Sequence, residues 1–460
     1  MKEQVDKEIS LAWHQKPGRA GPTETKSGES VQRAVGDEAT WVHLDSTNSG
    51  AAQLEAALGR ENMRQAWKRV KANKGSAGGD GLSIAETEEN LKTHWPQIRE
   101  ALFKGTYRPK PVLRVMIPKT DGTQRQLGIP TVTDRLIQQA LLQVLQPMID
   151  PSFSEHSYGF RPGRSQHQAV LKAQSYVQAG RRFVVDVDLE KFFDRVNHDV
   201  LMSRLEKRIT DRRVLSLIYR YLQAGMLVNG VVIERHKGTP QGGPLSPLMA
   251  NVMLDEVDRE LERRGHAFVR YADDCNVYVQ SRKAGERVLA GLRKLYGHLR
   301  LQVNETKSAV ALASERKFLG FSFYISAGKV KRRVAAKALA AYKDRIRQIT
   351  RRNGGKSMEQ VVEKLRAYIP GWKQYFRLNE MSGTFLTLDQ WLRHRLRTLH
   401  LKHWKTGKRA YQALIALGAR RDDAAAVAKN LRRWWTSGAN YLNRALPISY
   451  FDRLGVPRLA

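Results

Sequence analysis

The chain has 460 residues, 79 Lys+Arg against 45 Asp+Glu, a formal charge of +34 and 41% hydrophobic residues. That hydrophobic content argues against a disordered chain, and the sequence has no apolar run long enough to cross a bilayer. The single cysteine, Cys275, excludes an internal disulfide and zinc modules built on cysteine pairs. The charge excess points to a polyphosphate partner, because each phosphate neutralised releases counterions.

In chain order, residues 1–50 are rich in Gly, Ser, Thr, Glu and Lys and read as a disordered tail with no apolar signal region, from which a cytoplasmic protein is expected. A helical pattern starts near Gln53 and closes at "KGSAGGDG" (74–81). "KPVLRVMIPKTDGTQRQLGIP" (110–130) predicts a hairpin around Thr120-Asp121-Gly122. A capped helix, "TVTDRLIQQALLQVLQPMI", leads into the loop "SFSEHSYGFRPGRS". "RRFVVDVDLEKFFDRVNHDV" reads as a buried strand running into a helix, and "GTPQGGPLSPLMANVMLDEV" as a Gly/Pro-rich loop followed by a long amphipathic helix. "VRYADDCNVYV" (269–279) predicts a second hairpin with Ala272-Asp273-Asp274 at its bend and Cys275 as a small buried residue beside it. Residues 321–460 carry 30 Lys+Arg against 8 Asp+Glu, a net +22, together with five of the nine tryptophans: Trp372, Trp391, Trp404, Trp434 and Trp435. A boundary near 323 therefore separates residues 51–323 from a basic region, 324–460.

Two acidic clusters at strand ends, Asp186/Asp188 and Asp273/Asp274, stand out in so basic a chain. Carboxylates alone would repel a phosphate. Carboxylates on adjacent strands holding two divalent cations would instead clamp the attacking and leaving oxygens of a displacement at phosphorus, which is nucleotidyl transfer. An isolated Asp-Asp pair, by contrast, is ordinary turn chemistry.

The surrounding boxes favour the first reading. "YADD" (271–274) resembles the YxDD box of reverse transcriptases, "DLEKFFD" (188–194) their motif A, and "GTPQGGPLSP" (238–247) their motif B. "LQVNETKS" (301–308) looks like the box with a lysine near the active site, and "FLGFSF" (318–323) like the last palm segment. "IPKTDGTQRQLGIPTVTDRLIQQA" and "HSYGFRPGRS" resemble the fingers blocks of group II intron-encoded reverse transcriptases, and "LRAYIPGWKQYF" (365–376) their maturase region. The resemblance implies an α+β right-hand polymerase fold, with fingers and palm built from an antiparallel sheet plus helices, followed by a helical thumb and maturase region. It also implies an RNA-directed DNA polymerase that assists splicing of its intron.

Carried onto this chain, the resemblance makes Asp188 and Asp273 the principal ligands of two Mg²⁺ ions, with Asp274 a weaker third and Asp186 a spare. Phe193 would exclude a 2′-hydroxyl, Lys119 and Arg125 would meet the triphosphate, Gln241 would border nucleotide and template, and Lys307 would support the phosphates. Arg161 has two open readings, template contact or bracing of the fingers. Implied partners are group II intron RNA, an RNA template with a DNA primer, dNTPs and target DNA, with no membrane. Many relatives carry a C-terminal zinc-dependent nuclease domain, and this chain is expected to lack one. The competing expectations are a splicing maturase with a vestigial polymerase site and a reverse transcriptase recruited to repair or defence. Individual C-terminal tryptophans are expected to serve packing, with RNA binding carried by the collective basicity.

Overall fold

The structure, a computed structural model, describes residues 52–118, 124–228, 230–234, 237–239, 242–431 and 441–460. Lys119, Gln241, Trp434, Trp435 and the tail 1–50 lie outside the described residues. By their internal contacts the described residues form two compact units, 52–173 with 183–310, and 174–182 with 311–460. The division falls before the composition change near 323, because the β-hairpin spanning Phe321–Val334 clusters with the helical region.

The first unit opens with helices α1 (Ala52–Ala57), α2 (Arg60–Ala72) and α3 (Ile84–Phe103). Ser83 and Glu86 close a reciprocal capping box at the start of α3. Strands β1 (Val112–Pro118) and β2 (Gln124–Ile129) pair antiparallel, as the hairpin pattern predicts. Beyond that prediction, β1 also pairs in parallel with β4 (Met226–Val228), giving the order β2-β1-β4-β5, with β5 spanning Val231–Ile233. The fingers sheet is therefore mixed: a parallel partner comes from a hundred residues away in sequence, where no local pattern announces it. Thr131 caps α4 (Val132–Ile149), and α5 (Gln166–Gln178) follows the loop after it.

The second sheet of this unit has the order β6-β7-β3-β8, with β3 at Phe183–Val187, β6 at Ala267–Tyr271, β7 at Asp274–Val279 and β8 at Ala309–Leu312. Val184, Val185 and Val187 of β3 and Val277 of β7 are buried, as expected of strands covered on both faces. Short helices α6 (Phe192–Arg195) and α7 (His198–Leu205), then α8 (Arg212–Gln223), α9 (Ser246–Arg263) and α10 (Arg282–His298), complete this part of the chain, with α9 packed on β6 and α10 on β3 and β7. Leu248, Met249, Val252, Met253, Val257 and Leu261 form the apolar face of α9.

In the second unit, β9 (Phe321–Ser326) and β10 (Lys329–Val334) form a hairpin. Helices α11 (Ala336–Ile349), α12 (Met358–Tyr375), α13 (Thr384–Trp404), α14 (Gly407–Ala416), α15 (Arg421–Lys429), α16 (Tyr441–Ala445) and α17 (Ile448–Arg453) follow. Trp372 is buried with its ring 4.5 Å from Tyr342 and 4.6 Å from Phe376, so the packing expectation holds for this tryptophan. The C-terminal backbone is tied down where Asp389 accepts hydrogen bonds from the amides of Leu459 and Ala460.

Candidate active site

The register of the palm sheet brings the acidic clusters together. Strand β3 runs antiparallel to β7, and the last pair, Val187↔Cys275, leaves Asp188 emerging at the end of β7 where Asp274 begins. In the β6–β7 hairpin Tyr271 pairs with Asp274, so the bend consists of Ala272 and Asp273, and Asp274 is already the first residue of the strand. Ala272 adopts a left-handed conformation, φ 57°. Asp188 and Asp273 interact electrostatically at these strand ends. Burial holds the Asp273 carboxyl above the ordinary carboxylate range, and the Asp188 charge pushes the same way, while Arg125 and Arg270 oppose them.

Asp188 is held through its backbone. Its amide donates to Ser308 Oγ at 3.0 Å and its carbonyl accepts from the Asn304 amide at 2.8 Å. The box 301–308 thus fastens to motif A, with Leu189 bridged to Val303. Asn304 Oδ1 accepts from the Thr306 hydroxyl at 2.8 Å and from the Lys307 amide at 3.3 Å, forming a local turn. That turn presents Lys307 Nζ 3.8 Å from Asp188 Oδ1, a solvent-screened pair worth little in stability. Asp186 lies within β3 opposite Asn276, whose amide in its hydrogen-bonding orientation donates to Asp186 Oδ1 at 3.1 Å. Asp186 is engaged within the sheet, whereas Asp188 follows the end of β3.

Phe192 and Phe193 belong to one hydrophobic cluster, their ring centroids 5.1 Å apart, with Phe193 8% exposed and Phe192 2%. The carbonyl of Phe193 accepts from the Thr239 amide at 2.7 Å, and Gly238 donates to Val196 O at 2.8 Å, so the motif B loop lies along motif A. Gly242 has φ 137°, and a Cβ there would sit 2.7 Å from Gly128 O of β2. Arg125 is exposed on β2 opposite Ile117.

Arg161 is committed to bracing. Its Nε donates to Asp150 Oδ1 at 3.0 Å, one terminal nitrogen donates to Ser154 O at 2.5 Å and Ser157 O at 3.0 Å, and the other to Asp150 O at 2.9 Å and Oδ2 at 3.1 Å. All five guanidinium donors are used within the loop. Cys275 is fully buried and its thiol is pushed up to about 12 by burial, which suits the packing role expected of it.

The residues that sequence reasoning missed lie behind the hairpin. Arg270 and Asp258 are both fully buried. Arg270 Nε donates to Asp258 Oδ1 at 2.8 Å, and one terminal nitrogen donates to Asp258 Oδ2 at 2.6 Å. The other terminal nitrogen donates to Asn251 Oδ1 at 2.9 Å and to the carbonyl of Ala272 at 2.9 Å, directly gripping the bend that carries Asp273. Asn251 in turn donates to Gly159 O at 2.9 Å. Gly159 packs so close that a Cβ would lie 2.9 Å from Tyr271 C and nearer still to Ala272 N. An Arg three residues before a strand-tip carboxylate, and an Asp inside an amphipathic helix, were the available signals.

Among the described residues no group of three or more His, Cys, Asp or Glu side chains converges on a point. The site offers a coupled pair of carboxylates, Asp188 and Asp273, with the exposed Asp274 beside them, rather than a closed cage. Hard oxygen donors left incomplete suit Mg²⁺, which keeps waters and substrate phosphates among its ligands.

Carboxylates at the inner strand ends of a palm sheet, preceded in sequence by a mixed fingers sheet and followed in sequence by a helical region, are the parts of a right-hand polymerase. Residues 117–323 match the family model described as reverse transcriptase (RNA-dependent DNA polymerase), and residues 339–415 match that of the group II intron maturase-specific domain. Protein YkfC of Escherichia coli (strain K12) is 31% identical, with 59% of this chain and 82% of that protein covered. The group II intron-encoded protein LtrA of Lactococcus lactis subsp. cremoris is 30% identical over 62% of this chain, which spans only 60% of LtrA. Among solved structures a partial Cas6-RT-Cas1–Cas2 complex is similar with a TM-score of 0.36 and 26% identity, covering 53% of this chain and 42% of that one. The chain belongs to the group II intron-encoded reverse transcriptase/maturase family. Among the described residues no helix is long and apolar enough to cross a membrane.

Proposed function

We propose that this chain extends a DNA primer with dNTPs on an RNA template and that it also holds its group II intron RNA, promoting splicing and insertion of the intron into target DNA, all in the cytoplasm. What supports the polymerase reading is the register of β3 against β7, with Val187 opposite Cys275, so that Asp188 follows one strand where Asp273 and Asp274 open the other. Asp188 and Asp273, aided by Asp274, would hold two Mg²⁺ ions, which when bound activate the primer 3′-hydroxyl and neutralise charge at phosphorus. Arg125 and Lys119 orient the triphosphate. Lys307 leaves Asp188 to meet the phosphates, a weak exposed pair being easily exchanged. Phe193, braced by the motif B backbone, excludes a 2′-hydroxyl, and Gln241 borders the nucleotide. The net +22 of residues 321–460 supports the RNA-binding half of the reading.

The test is Mg²⁺-dependent primer extension on an RNA template with dNTPs or rNTPs. Asp273→Ala is expected to lower the rate by about a thousandfold or more, since removing a cation site forfeits several kcal/mol of charge stabilisation. Phe193→Ala is expected to admit rNTPs. No extension by the unaltered chain, with tight intron binding intact, would overturn the polymerase half and leave a maturase.

A further inference from the structure

Trp391 differs from the other described tryptophans of the C-terminal unit. Trp372 is buried among aromatic rings and Trp404 stacks on His400 with centroids 5.3 Å apart, whereas Trp391 is half-buried and ringed by cations. Lys343 Nζ lies 5.9 Å from its centroid, the Arg347 guanidinium 5.8 Å and the Arg395 guanidinium 5.4 Å. Lys343 and Arg347 are four residues apart on α11, and Trp391 and Arg395 four apart on α13, so each pair occupies one helix face.

Arg395 is fixed in advance. Its Nε donates to Thr350 Oγ1 at 2.9 Å, and that hydroxyl donates to Ile346 O at 2.7 Å. Among the described residues the carboxylate bonded to this group is Asp344, which pairs with Arg347 in an exposed contact at 2.5 Å. Partial burial, Arg347 and Arg352 all disfavour the charge on Arg395. Like charges gathered around one ring, with a single exposed carboxylate to offset them, raise the energy of the unliganded face, and an anion would lower it. A simple anion or acidic peptide would use the cations and ignore the indole. A polynucleotide with an unpaired base uses both, with phosphate on the cations and the base on the ring.

We propose that Lys343, Arg347, Trp391 and Arg395 form a binding site for an unpaired nucleotide of structured intron RNA, a site that rests on the intron-binding reading above. The site lies wholly within the maturase-specific match, 339–415.

The experiment measures the affinity of the full chain for intron RNA and for a short RNA–DNA primer–template duplex across a salt series. Trp391→Ala is expected to lower the ratio of intron to duplex affinity by roughly tenfold, the usual scale of one lost base stack. Trp391→Phe is expected to restore most of that ratio. Lys343→Gln and Arg347→Gln are each expected to reduce the slope of log affinity against log salt for intron RNA by about one. Lys343 is only half-buried and Arg347 exposed, so they test the site even if Trp391→Ala fails to fold. Absence of intron binding by the unaltered chain would overturn the intron-binding reading and the site with it. Tight binding by the unaltered chain that persists in every variant would overturn the site alone, as would an equal loss on both ligands.

Discussion

The buried arginines of both units and the cations gathered around Trp391 use their charge in opposite ways. In the polymerase unit Arg161 and Arg270 are buried and each is saturated, Arg161 by Asp150 and loop carbonyls, Arg270 by Asp258, Asn251 and the carbonyl of Ala272. In the maturase unit Arg397 is likewise enclosed, donating to Leu446 O at 2.8 Å, its pKa pushed down to about 10 by burial and by Arg393. On the face formed by α11 and α13, however, Arg395, Arg347 and Lys343 stand around Trp391 with only the exposed Asp344 as counter-charge. In a low-dielectric interior a charge needs donors and acceptors matched to it. The buried guanidiniums fix backbone carbonyls, whereas the cations around Trp391 share one exposed counter-charge.

The comparison is tested most severely at Arg270. Arg270→Met leaves Asp258 charged in the core and should cost about 3–5 kcal/mol in urea unfolding, the scale of breaking a buried pair. Adding Asp258→Leu should recover most of that stability but not primer extension, because Ala272 O still lacks its donor. Recovery of both would break the assignment of Arg270 to the catalytic bend.

In the maturase unit the sharpest stability test is pH. His400 is buried, with the Tyr450 hydroxyl 3.0 Å from Nε2, and its pKa is pushed down to about 4, chiefly by burial and then by His403. The unfolded chain protonates His400 near its ordinary value and the fold resists protonation. Its contribution is therefore present above about pH 6.5 and is lost as pH falls towards 4, up to about 3 kcal/mol. Urea unfolding followed between pH 7 and 4.5 should show this slope, and His400→Gln should flatten it. An unchanged slope would assign the acid sensitivity elsewhere.

The smallest effect belongs to Gly159→Ala. The added methyl meets the backbone of Tyr271 and Ala272 and should cost about 1–3 kcal/mol through overpacking. It should also lower the rate of primer extension more than it raises the KM for dNTP, since it displaces the bend carrying Asp273. A variant with unchanged rate would show that the bend tolerates displacement.

The sequence by itself determined the strand that leads into Asp188, the hairpin that carries Asp273 and the order of the polymerase boxes, because apolar alternation, turn residues and short motifs are local properties. It also determined that the last third of the chain is basic. It did not determine that β4 would pair in parallel with β1, that Arg161 would be consumed within its own loop, or that Asp186 would be engaged by Asn276 while Asp188 stood free of the strand ladder. Nor did it single out Trp391 from Trp372. Those outcomes depend on which residues distant in sequence come within a few ångströms. A buried guanidinium or an indole takes its role from the partners the fold supplies, and only the tertiary structure brings Asp258 to Arg270 and Lys343 to Trp391.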